Sequence, residues 1–219
     1  MNTNILLEEN LDRLRHEILN MASHVEEDLS KALSALRNND VALAKEVKSN
    51  DKTVNAMQTK IEDETAMLLA TQSPVAADLR ELVSIFKITG NLERIGDYTV
   101  HLARSAIKFS KDPPYRPMEH IENMAEKGKE MLRMSISAFL NHDSETARKA
   151  ADMDSYIDEE HKLLTQEVLV FIKEKKAGLK KSIRLLNTSN YLERLGDHIT
   201  NICECIIYMV EVKHERLNK

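Results

Sequence analysis

The sequence predicts an all-α protein made of two elongated three-helix bundles in tandem. Glycine (5) and proline (4) are scarce in this chain of 219 residues, whereas β-sandwiches and barrels need frequent turns built from such residues. The chain contains neither G-x-G-x-x-G nor G-K-[ST], so it lacks the dinucleotide-binding and P-loop motifs. A third observation, an internal repeat, gives the tandem arrangement.

The repeat is clearest in two pairs of segments. L-E-R-I-G-D at 92–97 recurs as L-E-R-L-G-D at 192–197, and D-x-x-V-N at 51–55 recurs as D-x-x-I-D at 154–158. Residues 111–117 hold three of the four prolines, and proline does not continue a helix. We therefore predict a linker there, which divides the chain into domains of residues 1–112 and 113–219.

In the first unit, apolar residues spaced by three and four from Leu11 to Leu36 predict the first helix. Residues 38–40 end this helix and cap the second, which runs to a turn that contains Ser73 and Pro74. Ser73 is expected to be the N-cap of the third helix and Pro74 its first residue. The third helix continues to about Ser110.

The second unit repeats this order of helices. The segment K-K-A-G at 175–178 predicts the turn between its second and third helices. Gly178 is expected to follow the C-terminus of the second helix, where glycine is favoured.

Composition narrows the class of partner and the location. The formal net charge is −5, whereas nucleic-acid-binding proteins normally present a basic face, so we expect no nucleic-acid partner. No apolar run approaches the ~18 residues of a membrane span, and residues 1–4 lack the basic start of a signal peptide. We therefore expect a cytoplasmic protein.

Acidic residues are expected to meet at one height in each unit. Glu93 and Asp97 lie four residues apart and so share a helix face, as Asp51 and Asn55 do on the preceding helix. Because both pairs are equally distant in sequence from the predicted turn, antiparallel packing brings them together. The same spacing relates two pairs of residues in the second unit: Asp154 and Asp158, Glu193 and Asp197.

Such a group of carboxylates needs a positive partner, because unpaired acidic groups at close range repel each other by about 1 kcal/mol or more per pair. Oxygen ligands suit hard cations, and carboxylates also bridge iron or zinc. The alternative is a solvated acidic face or an ion-pair network with Arg94 and Arg194. Gly96 and Gly196, inside helices, suggest close approach of another group. The helical phase of Glu93 predicts a site on the outside of the bundle.

These segments together resemble the PhoU family of phosphate-specific transport system accessory proteins. The resemblance rests on the paired L-E-R-[IL]-G-D segments, on the two upstream acidic segments, and on Q-S-P at 72–74 followed by D-L-R at 78–80. It extends over nearly the whole chain in family order, and it implies two similar three-helix bundles.

The resemblance also implies a function and its site residues. Family members are regulators of phosphate uptake, often homodimeric, that act with the importer's ATPase subunit and a phosphate-sensing histidine kinase at the membrane complex. They hold metal clusters of iron, zinc or magnesium on paired acidic motifs. Carried over by position, the metal candidates are Asp51, Asn55, Glu93, Asp97, Asp154, Asp158, Glu193 and Asp197. Because Asn55 stands where a carboxylate is expected, the first site should bind metal more weakly.

Two other functions are compatible with an acidic helical bundle. A ferritin-like di-metal oxidoreductase needs Glu-x-x-His pairs on two helices, and the nearest spacings are Glu211 with His214 and Asp158 with His161. A metal-free helical scaffold is the other alternative. No nucleophile–base constellation can be recognised, so we expect no enzymatic activity.

Overall fold

The structure, a computed structural model, describes residues 3–111, 118–174 and 178–218. These residues form α-helices and no β-strand, which confirms the predicted all-α class. The helices, in chain order, are α1 (Thr3–Asn38), α2 (Val41–Thr71), α3 (Ala76–Phe109), α4 (Met118–Leu140), α5 (Ser144–Asp152), α6 (Asp154–Lys173) and α7 (Leu179–Glu211). The predicted linker, with the domain boundary at 112/113, and residues 175–177 of the predicted turn lie outside the described residues, apart from Lys111.

Helices α1–α3 form the first bundle, and α4–α7 form the second. The apolar stripe predicted for α1 is buried as expected from its spacing, and it includes Leu11, Leu14, Ile18, Met21, Val25 and Leu29. In the second bundle, α5 and α6 together correspond to α2, so the three-helix plan is kept with one helix in two pieces.

The turn that follows the first helix has the same form in both bundles. Asn39 and His142 adopt left-handed backbone conformations, with φ of 53° and 50°. The next residue is an aspartate, and its side chain accepts two backbone N–H groups at the start of the following helix: Asp40 from α2 and Asp143 from α5. Such caps satisfy N–H groups that have no partner inside a helix. The sequence prediction of this cap in the first unit is confirmed.

Two residues at helix boundaries differ from the prediction. Helix α3 begins at Ala76 rather than at Pro74, because Ser73 has φ of 46° and belongs to the left-handed turn after α2. Gly178 does not terminate a helix in a left-handed conformation. It has φ of −72° and is the extended residue before α7.

The interruption between α5 and α6 was not predicted. It occurs at Met153, whose N–H donates to the carbonyl of Ala150 while its own carbonyl accepts from Tyr156 N–H, both three residues away. The tighter turn replaces the regular α-helical pattern over one residue. As a result, Asp154, a predicted site residue, becomes the first residue of α6.

The larger contact between the two bundles is the antiparallel packing of α3 against α7, which we call the central contact; α1 also packs against α4. His198 Nδ1 donates to Asn91 Oδ1 at 2.8 Å, and the rings of Tyr98 and Tyr191 stack with centroids 6.3 Å apart. Positions 91 and 98 correspond in the repeat to 191 and 198, so each bundle supplies the same two positions to the contact. The central contact is therefore centred on the two L-E-R-[IL]-G-D segments.

Candidate functional site

The first acidic cluster lies between α2 and α3 and contains Asp51, Glu93 and Asp97. The Glu93 side chain is 18% exposed. Burial raises the pKa of Glu93, and the negative charges of Asp97 and Asp51 raise it further against the opposing effect of Arg94. Because charges shift a pKa in this way at short range, the charge of Asp51 on α2 acts on Glu93 of α3.

Arg94 is the positive group of the first cluster. Its Nη1 lies 3.2 Å from Asp97 Oδ2 and its Nε lies 3.6 Å from Glu93 Oε2. Arg94 is exposed, so these pairs stabilise the fold only weakly. Asn55, one turn after Asp51, is also exposed, and within the described residues its side chain forms no hydrogen bond with the three carboxylates.

The second acidic cluster contains all four predicted residues. Burial raises the pKa of Glu193, followed by the charges of Asp197 and Asp158. Burial and then the charge of Asp158 raise the pKa of Asp197. Burial, Asp158, Asp197 and Glu193, in that order, raise the pKa of Asp154 to about 7. The carboxylates of α6 and α7 therefore share one environment.

Asp154 is the least satisfied member of this cluster. Its Oδ1 is buried and accepts no hydrogen bond of ordinary geometry within the described part of the chain, although the nearby hydroxyl of Thr200 opposes the rise of its pKa. A buried charged oxygen without a partner is costly, and it favours either a bound proton or a bound cation. This observation fits the donor chemistry of a cation site.

The arginine of the second cluster does not occupy the position that Arg94 has in the first. The phenol of Tyr98, across the central contact, lies close to Arg194 and raises its pKa. Among the described residues, Arg194 forms no ion pair with Glu193 or Asp197, although its charge opposes the upward pKa shifts of both. The second cluster is thus less neutralised by protein groups than the first.

The glycine of each motif allows close approach of the facing helix. A Cβ atom on Gly196 would overlap Oδ1 of Asp154 and would lie 3.2 Å from Cδ1 of Ile157. A Cβ atom on Gly96 would lie 3.2 Å from Cγ1 of Val54. The expectation of a close approach is therefore confirmed at both positions, with a carboxylate as the nearest group in the second bundle and an apolar side chain in the first.

The acidic side chains of each cluster lie near one another, but in the described part of the chain they do not form a metal-coordination geometry. In residues 3–111, 118–174 and 178–218, no three His, Cys, Asp or Glu side chains are arranged so that they could hold a metal ion as they stand. The assignment of the eight candidate ligands stays a prediction. Sharing a cation would require the carboxylates of each cluster to rotate toward one another.

The groups that cover the second cluster were not predicted from the sequence. A cavity of about 410 Å³ is lined by residues of α5 and α6 and by Arg216 and Leu217, which follow α7: Ala151, Asp152, Asp154, Ser155, Asp158, Arg216 and Leu217. The only signal in the sequence is one isolated apolar residue, Leu217, after the periodic pattern of α7 has ended.

The spacings considered for a ferritin-like site are engaged in other contacts. Arg148 binds the carboxylate of Glu211 through two nitrogens at 2.8 Å, and His214 stacks on Tyr208 with ring centroids 4.3 Å apart. His161 Nδ1 lies 2.9 Å from the hydroxyl of Ser189. These side chains have protein partners outside both acidic clusters.

Comparisons with known proteins agree with the fold and the repeat. The family model of the PhoU domain matches residues 18–106 and again 121–206. A PhoU homolog of the phosphate-specific transport system from Clostridium acetobutylicum is 31% identical over 217 residues, which is 99% of each chain. The PhoU accessory protein of Escherichia coli K12 is 32% identical over 203 residues, covering 92% of this chain and 83% of its own.

Two solved structures of PhoU proteins are also similar to this chain. The crystal structure of PhoU from Pseudomonas aeruginosa has a TM-score of 0.90 at 30% identity and covers 94% of this chain and 99% of its own. The phosphate transport system regulatory protein PhoU from Streptococcus pneumoniae has a TM-score of 0.90 at 28% identity, covering 96% and 99%. Every helix in the described part of this chain lacks the long apolar stretch that crossing a membrane requires.

The motif glycines give a stability prediction with an internal control. Replacing Gly196 with alanine should lower the free energy of unfolding by about 1–3 kcal/mol, because the new Cβ displaces Asp154. At Gly90 of α3, a Cβ atom would meet no neighbouring group within 4 Å. Gly90→Ala should raise stability by about 0.5–1 kcal/mol through helix propensity alone. Urea unfolding measures both changes, and equal effects at the two positions would contradict the packing argument.

The raised pKa of Asp154 predicts that the isosteric variant Asp154→Asn is more stable than the parent at high pH only. Asp154 holds its proton more tightly in the folded chain, with a pKa of about 7 against an ordinary 3.8. The folded state therefore loses stability as pH rises from about 4 through 7. Asp154→Asn removes this loss, which for a pKa raised from 3.8 to about 7 is about 4 kcal/mol, so with chelator present its melting temperature should exceed the parent's by roughly 10 °C at pH 8. At pH 4 the two should be nearly equal; an equal gain at both pH values would refute the assignment.

Proposed function

Since the chain belongs to the PhoU family, we propose that it is a cytosolic negative regulator of phosphate uptake and of phosphate-starvation signalling. The observation that carries this proposal is similarity to a phosphate-transport accessory protein over 99% of both chains. A structural neighbour at 28% identity is described as a regulatory protein of phosphate transport. Relatives with these names support a regulatory role rather than an enzymatic one.

We propose that the chain acts as an adaptor between proteins. Its partners would be the ATPase subunit of a phosphate importer and a phosphate-sensing histidine kinase, with peripheral attachment to the membrane complex through them. A homodimer is the proposed functional state. An adaptor of this kind needs rigid surfaces more than a closed pocket, and helices of 31–36 residues in the first bundle supply such surfaces.

We also propose that both acidic clusters bind cations such as iron, zinc or magnesium. The unpartnered Oδ1 of Asp154 and the shared pKa shifts of the second cluster support this proposal. The ligands would be Asp154, Asp158, Glu193 and Asp197 in the second cluster, and Asp51, Asn55, Glu93 and Asp97 in the first. A bound cation would supply the positive charge that offsets the repulsion among these carboxylates.

The protein groups of each cluster set how strongly a cation would be held. In the first cluster, Arg94 already pairs with Glu93 and Asp97 and would have to release them. Asn55 would contribute a neutral oxygen. In the second cluster, none of the four carboxylates forms such an ion pair among the described residues. The second site should therefore bind a cation more tightly.

Titration of the full-length chain with Mn²⁺ tests the two sites separately. Glu193→Gln with Asp197→Asn should abolish the tighter class of binding, and Glu93→Gln with Asp97→Asn should abolish the weaker class. Asn55→Asp adds a charge to the first site and should tighten it by about tenfold, equivalent to ~1.4 kcal/mol. Isothermal titration calorimetry reads the affinities, and elemental analysis of the purified chain identifies any metal retained.

The matched control for this titration is Gly90→Ala, which leaves both clusters intact. Wild-type protein that binds no Mn²⁺, and that retains no metal on purification, would leave the metal-free scaffold as the correct description. Binding that survives both double variants would place the cations elsewhere in the chain.

A pull-down of the chain with the importer's ATPase subunit tests the adaptor role. The purified ATPase subunit, immobilised, should retain the full-length chain at high phosphate and retain less of it at low phosphate. The variant with Glu193→Gln and Asp197→Asn should be retained less than Gly90→Ala if the cation stabilises the binding surface. Recovery at neither phosphate concentration would rule out this partner and with it the proposed restraint of uptake.

A further inference from the structure

The segment 212–218, here called the strap, leaves α7 through a sharp reversal. Val212 has φ of 61° and ψ of 27°, a left-handed conformation that a β-branched residue rarely adopts. Such a conformation persists only where surrounding contacts fix it. The reversal directs the strap back along α7 toward the second acidic cluster.

One end of the strap is fixed to α5. Arg148 binds Glu211, the last residue of α7, and it also binds Glu215 of the strap, with Nη2 2.7 Å from Oε1 and Nε 3.1 Å from Oε2. Ser144 donates a further hydrogen bond to Glu211 at 2.6 Å. One planar guanidinium therefore joins α5, the end of α7 and the strap.

The other end of the strap is fixed to α7. The backbone N–H of Leu217 donates to Oε1 of Glu204 at 2.6 Å, and the Leu217 side chain packs against the hydrophobic core. Asn218 Nδ2 donates to Asn201 Oδ1 at 3.0 Å and to the backbone carbonyl of Asp197 at 3.3 Å. The strap thus bridges α5 and α7, and its last described residue reaches the backbone of Asp197 in the second cluster.

The strap forms part of the wall of the cavity lined by Asp154 and Asp158, two of the four carboxylates of the second cluster. Arg216 and Leu217 line it on one side, and Asp154 and Asp158 line it on the other. Arg216 is exposed and, in the described part of the chain, forms no ion pair with these aspartates. Its charge faces the cavity without neutralising a particular carboxylate, so the strap covers the cluster rather than occupying it.

We propose that the strap is a lid that controls the exchange of cations at the second acidic cluster. This inference rests on the proposed cation site. Opening requires loss of the Leu217 and Asn218 contacts, while Arg148 can keep the strap attached. A lid slows entry and exit together, so its loss changes both rates more than it changes the equilibrium affinity.

The first measurement needs no metal. Carbodiimide coupling of glycine ethyl ester to carboxylates, read by mass spectrometry, reports the accessibility of Asp154 and Asp158 in the full-length chain. Leu217→Ala should raise labelling of both residues by about tenfold, because it removes the apolar anchor. Asn218→Ala, an exposed polar change, should raise it in the same direction if Leu217→Ala does not fold. Labelling of Asp51 should stay unchanged.

Leu69→Ala is the matched control. Leu69 is also a partly buried leucine that packs against the core, but it lies in α2, whose helix neighbours in the described part of the chain are α1 and α3. This control should leave the labelling of Asp154 at the wild-type level. Unchanged labelling in both strap variants would overturn the lid.

The second measurement follows Mn²⁺ in the background of Glu93→Gln and Asp97→Asn, which isolates the second site. Transfer of bound Mn²⁺ to a fluorescent chelator should be about tenfold faster in Leu217→Ala, with association faster by a similar factor and affinity within about threefold. Faster labelling without any Mn²⁺ binding would refute the proposed cation site and the exchange role together, whereas Mn²⁺ binding with unchanged rates would refute the lid alone.

Discussion

The antiparallel packing of α3 on α7 is the contact on which the rest of the architecture depends. Its centre falls on the two L-E-R-[IL]-G-D segments, so each segment packs against the other bundle while facing a helix of its own bundle. Both segments show the same order of buried and exposed residues along their length. Because each six-residue segment contacts helices on two sides, its position is restricted. This constraint sets the height along the bundles at which both acidic clusters form.

The two clusters share a frame but differ in electrostatics. Arg94 pairs with acidic residues of its own motif, whereas Arg194 lies close to the phenol of Tyr98 across the central contact. The first cluster therefore carries an internal counter-charge, and the second combines burial, four carboxylates and an enclosing strap. The two repeats of one helical unit thus differ in charge, partly because Asn55 stands where the second repeat has Asp158, and partly because of Tyr98 and the strap, which lie outside the repeated segments.

Much of the fold was predictable because it follows from local rules. The stripe of α1, the cap at Asp40 and the meeting of Glu93 with Asp51 follow from helical spacing and turn chemistry. Features that depend on distant partners were not predictable. The strap is held by Arg148, 67 residues before Glu215, and no periodic pattern in the sequence predicts such a contact. The break at Met153 likewise follows no proline or glycine signal.

Gly96 and Gly196 show why a motif alone does not define chemistry. Both glycines admit an apolar side chain from the facing helix, Val54 in one bundle and its counterpart Ile157 in the other. In the second bundle Asp154, the counterpart of Asp51, approaches the glycine as well and brings a buried oxygen that accepts no hydrogen bond of ordinary geometry among the described residues. The same backbone approach therefore stabilises the first bundle through apolar packing alone. In the second bundle it creates an electrostatic cost that a proton or a cation can offset, and this makes the second cluster the one whose stability depends on what it binds.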